Sequence, residues 1–134
     1  MLLYFDCFSG VSGDMTLGAL IDLGVPVPWL KEKLAALPLS GFDLTAADVA
    51  YNGIHAKRVE VAARGDAHRN YAVIRDLIAK SPLAENVRKR ALAIFAGLAA
   101  AEAGVHGCAP EEVHFHEIGG VDSIVDVVGT ALGL

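Results

Sequence analysis

The spacing of hydrophobic residues alternates between extended and helical patterns along the chain. Short apolar or alternating runs predict four strands, at residues 2–5, 42–51, 54–63 and 113–116. The first run is apolar throughout, which is typical of a buried strand. Asn52 and Gly53 join the two middle runs. This pair favours a type I′ hairpin, because both central positions of that turn need a positive φ angle.

Helical spacing predicts about five helices. They are expected to begin at about Gly13, Pro28, Tyr71, Leu83 and Val121. The first four should end at Gly24, Pro38, Ser81-Pro82 and Gly104. The order β-α-α-β-β-α-α-β-α predicts an α+β fold, a two-layer sandwich with a four-stranded sheet. A ferredoxin-like βαββαβ core is the simplest version of this arrangement.

Composition narrows the class of protein. A chain of 134 residues is long enough for one domain. Because 54% of its residues are hydrophobic, it can build a core and still expose apolar surface for a partner or another domain to cover. We therefore expect a homo-oligomer or a single domain of a longer protein. The net charge of −5 argues against nucleic-acid binding. The chain has two cysteines, too few for a disulfide scaffold. The sequence also shows neither a signal peptide nor an apolar stretch long enough to span a membrane, so we expect a cytoplasmic protein.

The strongest local signal for chemistry is the sequence Val113-His114-Phe115-His116-Glu117. Side chains two residues apart on a strand share a face, so His114 and His116 should point the same way. Two imidazoles can bind one divalent transition metal, and Glu117 could add an oxygen or orient a histidine. The alternative is a pair of surface histidines on an edge strand.

Two carboxylates lie on the last predicted helix. Asp122 and Asp126 are four residues apart and therefore share a face of a helix that is otherwise apolar nearly all round. Buried carboxylates repel each other and favour a cation or hydrogen-bond donors. The alternatives are a narrow solvated stripe and, for Asp122, a helix cap.

The glycine-rich segment after the first predicted strand carries further polar groups. Asp6 and Asp14 could hold a cation at the strand end. Ser9 and Ser12, which precede a helix, could bind a phosphate of a cofactor or substrate, although no lysine follows as in a Walker loop. Cys7 is expected to be a small core residue rather than a metal ligand.

One polar loop precedes the third predicted helix. His68 there could reach a metal site, and Arg69 could bind phosphate.

The predicted fold limits which of these groups can form one site. In a ferredoxin-like sheet the first and fourth strands are antiparallel, which puts Asp6 and His116 at opposite ends of the sheet. A site that uses both needs parallel strands or a second subunit.

Two long motifs resemble the LarC family of nickel-insertion proteins. The first runs from Tyr4 to Met15 and continues through Leu17-Gly18-Ala19-Leu20. The second is Val113-His114-Phe115-His116-Glu117-Ile118-Gly119, followed by Val121-Asp122-Ser123-Ile124-Val125-Asp126. The resemblance covers essentially the whole chain, and it implies that residues 1–134 are the N-terminal, metal-handling domain of a longer protein.

The resemblance also implies an activity. Family members bind nickel and insert it into pyridinium-3,5-bisthiocarboxylic acid mononucleotide, which matures the nickel-pincer cofactor of lactate racemase-type enzymes. This chelatase reaction, of the lyase class, consumes CTP with Mn or Mg assisting. CTP binding belongs to the C-terminal portion, so this chain alone should neither bind CTP nor complete a catalytic cycle. His114 and His116 would be the primary nickel ligands, with Glu117, Asp122 or Asp6 completing the site.

Two other functions fit parts of the pattern. A metal-dependent phosphoester hydrolase is one, because His-x-His at a strand end also occurs in hydrolase barrels. A TIM barrel takes about 250 residues, however, so the chain is too short for that fold. The other is a non-catalytic interaction domain that binds a partner through its apolar last helix.

Overall fold

The computed structural model describes residues 2–64, 68–115 and 118–134. This part of the chain contains five α-helices, one short 3₁₀ helix at Pro110–Glu112 and a two-stranded antiparallel sheet. The helices are α1 (Gly13–Asp22), α2 (Val27–Leu34), α3 (Tyr71–Ala79), α4 (Glu85–His106) and α5 (Val121–Gly133). The strands are β1 (Phe42–Tyr51) and β2 (Ile54–Ala63). The α+β class and the predicted number of helices are confirmed.

The hairpin forms where the sequence predicts it. β1 and β2 pair antiparallel from Phe42 opposite Ala63 to Tyr51 opposite Ile54. Asn52 has φ 50° and Gly53 has φ 80°, the two positive angles that a type I′ turn requires. The ribbon packs against α1, and its buried side chains Leu44 and Val59 join the core.

The four-stranded sheet is wrong for the described residues, because two of the four predicted strands do not form. Residues 2–5 have no regular secondary structure and no strand pairing, with Leu2 93% and Tyr4 81% exposed. A strand needs a neighbour for its backbone groups, and β1 and β2 pair only with each other. The ferredoxin-like core is therefore not present in the part of the chain that the structure describes.

The other missing strand is reduced to one bridge. Val113 is 1% and Phe115 is 3% exposed while His114 points outward, so the alternation is strand-like. The only pairing described is an antiparallel bridge between His114 and Asn70. The pairing does not continue past the bridge on the Val113 side, because the partner segment turns into helix α3 at Tyr71.

The end of the longest helix also differs from the prediction. Helix α4 passes through Gly104 and ends at His106, and Gly107 follows with φ 66°. The N–H groups of Gly107 and Cys108 both donate to the carbonyl of Ala103. Glycine is tolerated within a helix at a cost of about 1 kcal/mol, whereas a left-handed residue ends it, so Gly107 rather than Gly104 closes the helix.

The core lies where the helices converge on one side of the hairpin. α4 contributes Val87, Ala91, Phe95, Ala99 and Ala103, and α5 contributes Val121, Ile124, Val125 and Val128. One face of α5 is buried in this core, whereas Asp122 on the same helix is exposed. Among the described helices, none is both long enough and apolar enough to cross a membrane.

Candidate metal centre

Two predicted ligand residues line one small pocket. His68 and His114 surround a cavity of about 240 Å³ together with Arg69, Asn70 and Phe115. We call this cavity the imidazole pocket. Both histidines are exposed, so their rings are open to solvent and to a metal ion. The predicted metal candidates His68 and His114 and the predicted phosphate-binding residue Arg69 are therefore neighbours in space.

The pocket exists because two distant segments are joined by their backbones. The bridge between Asn70 and His114 aligns the segments, and the N–H of Tyr71 donates to the carbonyl of Val113 over 3.2 Å. The side chain of Asn70 accepts a hydrogen bond of 2.9 Å from the N–H of Val73 and so caps helix α3. The same residue thus fixes both the start of α3 and the position of His114.

Phe115 anchors the histidine segment to the core. Its ring lies 6.3 Å from that of Tyr71, edge to face, and 6.3 Å from that of Phe95. Because alternate residues of an extended segment face opposite sides, burying Phe115 turns His114 outward. His114 is a candidate ligand from the sequence alone, whereas this positioning role of Phe115 is seen only in the structure.

Gly119 closes the other side of the segment. The N–H of Arg69 donates to the Gly119 carbonyl over 3.1 Å. A Cβ atom at Gly119 would lie 2.6 Å from the Arg69 oxygen and 2.8 Å from the Phe115 oxygen. Real Cβ atoms do not approach backbone atoms so closely, so any side chain here would force the two segments apart.

His116 and Glu117 lie outside the described residues. Their predicted roles as metal ligands therefore remain predictions. No group of three or more His, Cys, Asp and Glu residues that could hold a metal ion occurs within 2–64, 68–115 and 118–134. The described part of the imidazole pocket supplies two imidazoles, fewer than a metal centre normally needs.

A second polar cluster lies where α1 and α5 meet. It consists of Asp14 in the first turn of α1 with Asp122 and Asp126 of α5, and we call it the carboxylate cluster. Asp122 is exposed, whereas Asp126 is only partly exposed. The Oδ1 atom of Asp126 is fully buried and has no hydrogen-bond partner among the described residues. This orphaned oxygen makes Asp126 the least well satisfied carboxylate described.

The surroundings of Asp126 favour its protonated form. Burial raises the pKa of Asp126 to about 6, and the charges of Asp14 and Asp122 contribute in the same direction. The close approach is possible because residue 13 is glycine: a Cβ atom there would lie 2.5 Å from the Asp126 Cβ. The prediction that Asp122 and Asp126 share a helix face is thus extended by a third carboxylate from α1.

The remaining candidates of the first loop are all exposed. Asp6 and Ser9 are exposed, and Cys7, predicted to be a core residue, is exposed too, so that prediction is wrong. Cys7 is exposed because the segment before it does not form a buried strand. The hydroxyl of Ser12 donates to a carboxylate oxygen of Asp14, which puts a negative charge beside one predicted phosphate-binding residue.

Comparison with known proteins identifies the family of this chain. A family described as nickel insertion protein matches residues 3–134. The pyridinium-3,5-bisthiocarboxylic acid mononucleotide nickel insertion protein of Geobacillus kaustophilus is 46% identical over 144 residues, which cover 99% of this chain and 35% of that protein.

Other relatives give the same result. A relative from Geobacter sp. (strain M21), whose name also includes the words nickel insertion protein, is 49% identical over 98% of this chain and 34% of its own length. A third, from Synechococcus elongatus, is 49% identical over 98% of this chain and 33% of its own length. The chain thus spans about a third of the curated relatives that it matches. No solved structure matches significantly. Because the family match extends over nearly the whole sequence, this chain belongs to the nickel insertion protein family.

Proposed function

We propose that this chain binds Ni(II) at the imidazole pocket and presents it for insertion into pyridinium-3,5-bisthiocarboxylic acid mononucleotide. The observation that carries the proposal is the convergence of His68 and His114 on one solvent-open pocket. The relative from Geobacillus kaustophilus is named for insertion of nickel into that mononucleotide, which supports the choice of metal and substrate. Family membership also favours nickel insertion over phosphoester hydrolysis.

In this proposal His114 and His116 are the primary ligands and His68 joins them from the facing segment. Imidazole nitrogen is a suitable ligand for Ni(II), and a carboxylate from Glu117 would complete the set. Asp122 follows two residues after Gly120 in the sequence and is proposed as a supporting carboxylate, with Asp6 as a further candidate. A site built on exposed histidines suits a protein that must release its metal to a substrate.

Arg69 and the serines of the first loop are proposed to bind the substrate. Arg69 lines the same pocket as the two histidines, so a phosphate or carboxylate group held there would lie next to the metal. Ser9 and Ser12 are proposed to contact the phosphate of the mononucleotide. Ser9 is the preferred candidate of the two, because the hydroxyl of Ser12 already donates a hydrogen bond to Asp14.

The complete reaction is proposed for the full-length protein. CTP and its Mn or Mg ion would bind to the portion that this chain does not contain, and the product would serve lactate racemase-type enzymes. On this proposal the chain alone binds nickel without completing the chelatase cycle. We also propose that the working protein is cytoplasmic and forms a homo-oligomer.

Nickel titration tests the proposal directly. Calorimetry with NiCl₂ should show binding by the unaltered chain and an affinity loss of about tenfold or more in His114→Ala and His116→Ala. His68→Ala should weaken binding less if it is the third ligand. His55→Ala is the matched control, because His55 is also exposed but lies on β2, outside the pocket, and its removal should leave binding unchanged.

The pH dependence gives a second readout. Imidazole binds metal only when it is neutral, so nickel affinity should fall as the solution is acidified and nickel uptake should release protons. Equal binding by the unaltered chain and the His114→Ala/His116→Ala double variant would refute the proposed centre. Transfer of nickel to the mononucleotide should then be measured in a full-length chimera, in which this chain replaces the matching third of the Geobacillus kaustophilus protein.

A further inference from the structure

An apolar groove lies on a part of the surface that the imidazole pocket does not use. It is formed by the connection between α1 and α2, by Trp29 of α2 and by the last turn of α5, and it has a volume of about 420 Å³. A second section of about 550 Å³ continues from Trp29 and Leu132 toward the start of α4, and its lining is mixed, because Glu32 and Lys33 contribute to it. We call the two sections together the Trp29–Leu132 groove.

The groove exposes large hydrophobic side chains to water. Leu23 is 70% and Trp29 is 36% exposed, and Val25, Pro26 and Leu132 complete an apolar lining. Its walls are firmly placed: a Cβ atom at Gly133 would lie 2.8 Å from the Leu20 side chain, so the end of α5 packs tightly on α1. A preformed apolar groove of this kind is typical of a surface that takes a helix or an extended segment.

The length of the relatives indicates what covers this groove. The chain corresponds to only 34% of the Geobacter sp. relative, so most of a full-length protein lies outside the part described here. We propose that a segment of that remaining portion packs into the Trp29–Leu132 groove. The inference rests on the proposed function in one respect, namely that the chain works as part of a longer protein. The groove and the imidazole pocket share no lining residue, so docking and nickel binding can occur together.

Trp29 reports on the groove directly, because it is the chain's single tryptophan. The 134-residue chain and a full-length chimera, in which it replaces the matching third of the Geobacter sp. protein, are labelled with 5-fluorotryptophan. The Trp29 resonance in the chimera is identified by its loss in Trp29→Phe. A soluble paramagnetic relaxation agent should broaden the Trp29 ¹⁹F signal strongly in the short chain and at least several-fold less in the chimera.

Two matched variants locate the docking surface. Leu23→Lys places a charge in the groove, and Ile54→Lys places the same charge at the hairpin tip, on a side chain that is similarly exposed at 73% against 70%. In the chimera, Leu23→Lys should restore the broadening of Trp29 and Ile54→Lys should not. Both positions are exposed, so neither change should unfold the chain, which circular dichroism checks.

Three results would overturn the inference. Equal accessibility of Trp29 in the two proteins would show that the groove is not covered by the remaining portion. Protection that appears in the short chain as its concentration rises would make a second copy the occupant. Protection that survives Leu23→Lys would place the contact elsewhere. None of these readouts involves nickel, so a failed nickel titration and a failed docking test are distinguishable.

Discussion

Replacing Asp126 by asparagine should stabilise the metal-free chain at neutral pH. In the folded chain the pKa of Asp126 is raised from 3.8 to about 6, mainly by burial and further by the charges of Asp14 and Asp122. The folded state therefore holds a proton between pH 4 and pH 6 that the unfolded state has already lost. The contribution of that proton to the free energy of unfolding is present in full below pH 3.8 and is lost as the pH rises through about 6.

The size of the effect follows from the pKa. Since a tenfold change in proton affinity corresponds to about 1.4 kcal/mol, a rise from 3.8 to about 6 sets an upper bound of roughly 3 kcal/mol. The carboxyl group is partly exposed and water screens its charge, so we expect about 1–2 kcal/mol. Asp126→Asn keeps the shape of the side chain and removes the charge. It should match the unaltered chain near pH 4 and exceed its stability by that amount at pH 7.5.

Urea unfolding followed by circular dichroism, from pH 4 to pH 8 with EDTA present, measures this difference. Glu111→Gln is the control: Glu111 is an exposed carboxylate of the 3₁₀ helix, and its change should stay within about 0.5 kcal/mol at every pH. Parallel stability curves for the Asp126→Asn variant and the unaltered chain would refute the reasoning, because they would show that Asp126 carries no pH-dependent penalty.

Three further predictions concern backbone geometry. Gly119→Ala should cost about 1–3 kcal/mol, because the added Cβ would force residue 119 away from the backbones of Arg69 and Phe115. It should also weaken nickel binding in the same calorimetric titration, and unchanged stability would contradict the close approach. Asn70→Ala should cost about 1 kcal/mol in urea unfolding through loss of the α3 cap, unlike a substitution at exposed Asn86. Gly97 lies within α4 with open space around it, so Gly97→Ala should raise the free energy of unfolding by about 0.5–1 kcal/mol. Gly107 has φ 66°, so Gly107→Ala should lower the free energy of unfolding. If both substitutions changed it in the same direction, the assigned end of α4 would be wrong.

Local patterns predicted the helices and the hairpin well. The positions of β1 and β2 follow from their alternation and from Asn52-Gly53, and the helices follow from the spacing of their apolar residues. These features depend on steric contacts and hydrogen bonds between residues that are close in the sequence, so the sequence alone is enough to predict them. The same reasoning was wrong about Gly104, because α4 tolerates this glycine and continues until the left-handed Gly107.

Long-range pairing could not be predicted in this way. The apolar run at residues 2–5 has the composition of a buried strand, yet its exposure depends on whether a partner strand is present. Cys7 follows this segment and is exposed with it. On the Val113 side of the Asn70–His114 bridge, the extent of pairing depends on where α3 begins, which is a property of the partner segment rather than of residues 113–115.

For the candidate site, the amino-acid types and their spacing establish which chemical groups are available: the His-x-His motif, the carboxylates on α5, and His68 beside Arg69. Which of these groups come together depends on how distant segments pack. The Asn70–His114 bridge brings His68 and His114 to one pocket, and the packing of α1 on α5 adds Asp14 to the carboxylate cluster. The physical reason is that residue types and spacing act within a few residues, whereas contacts between distant segments arise only when the whole core packs.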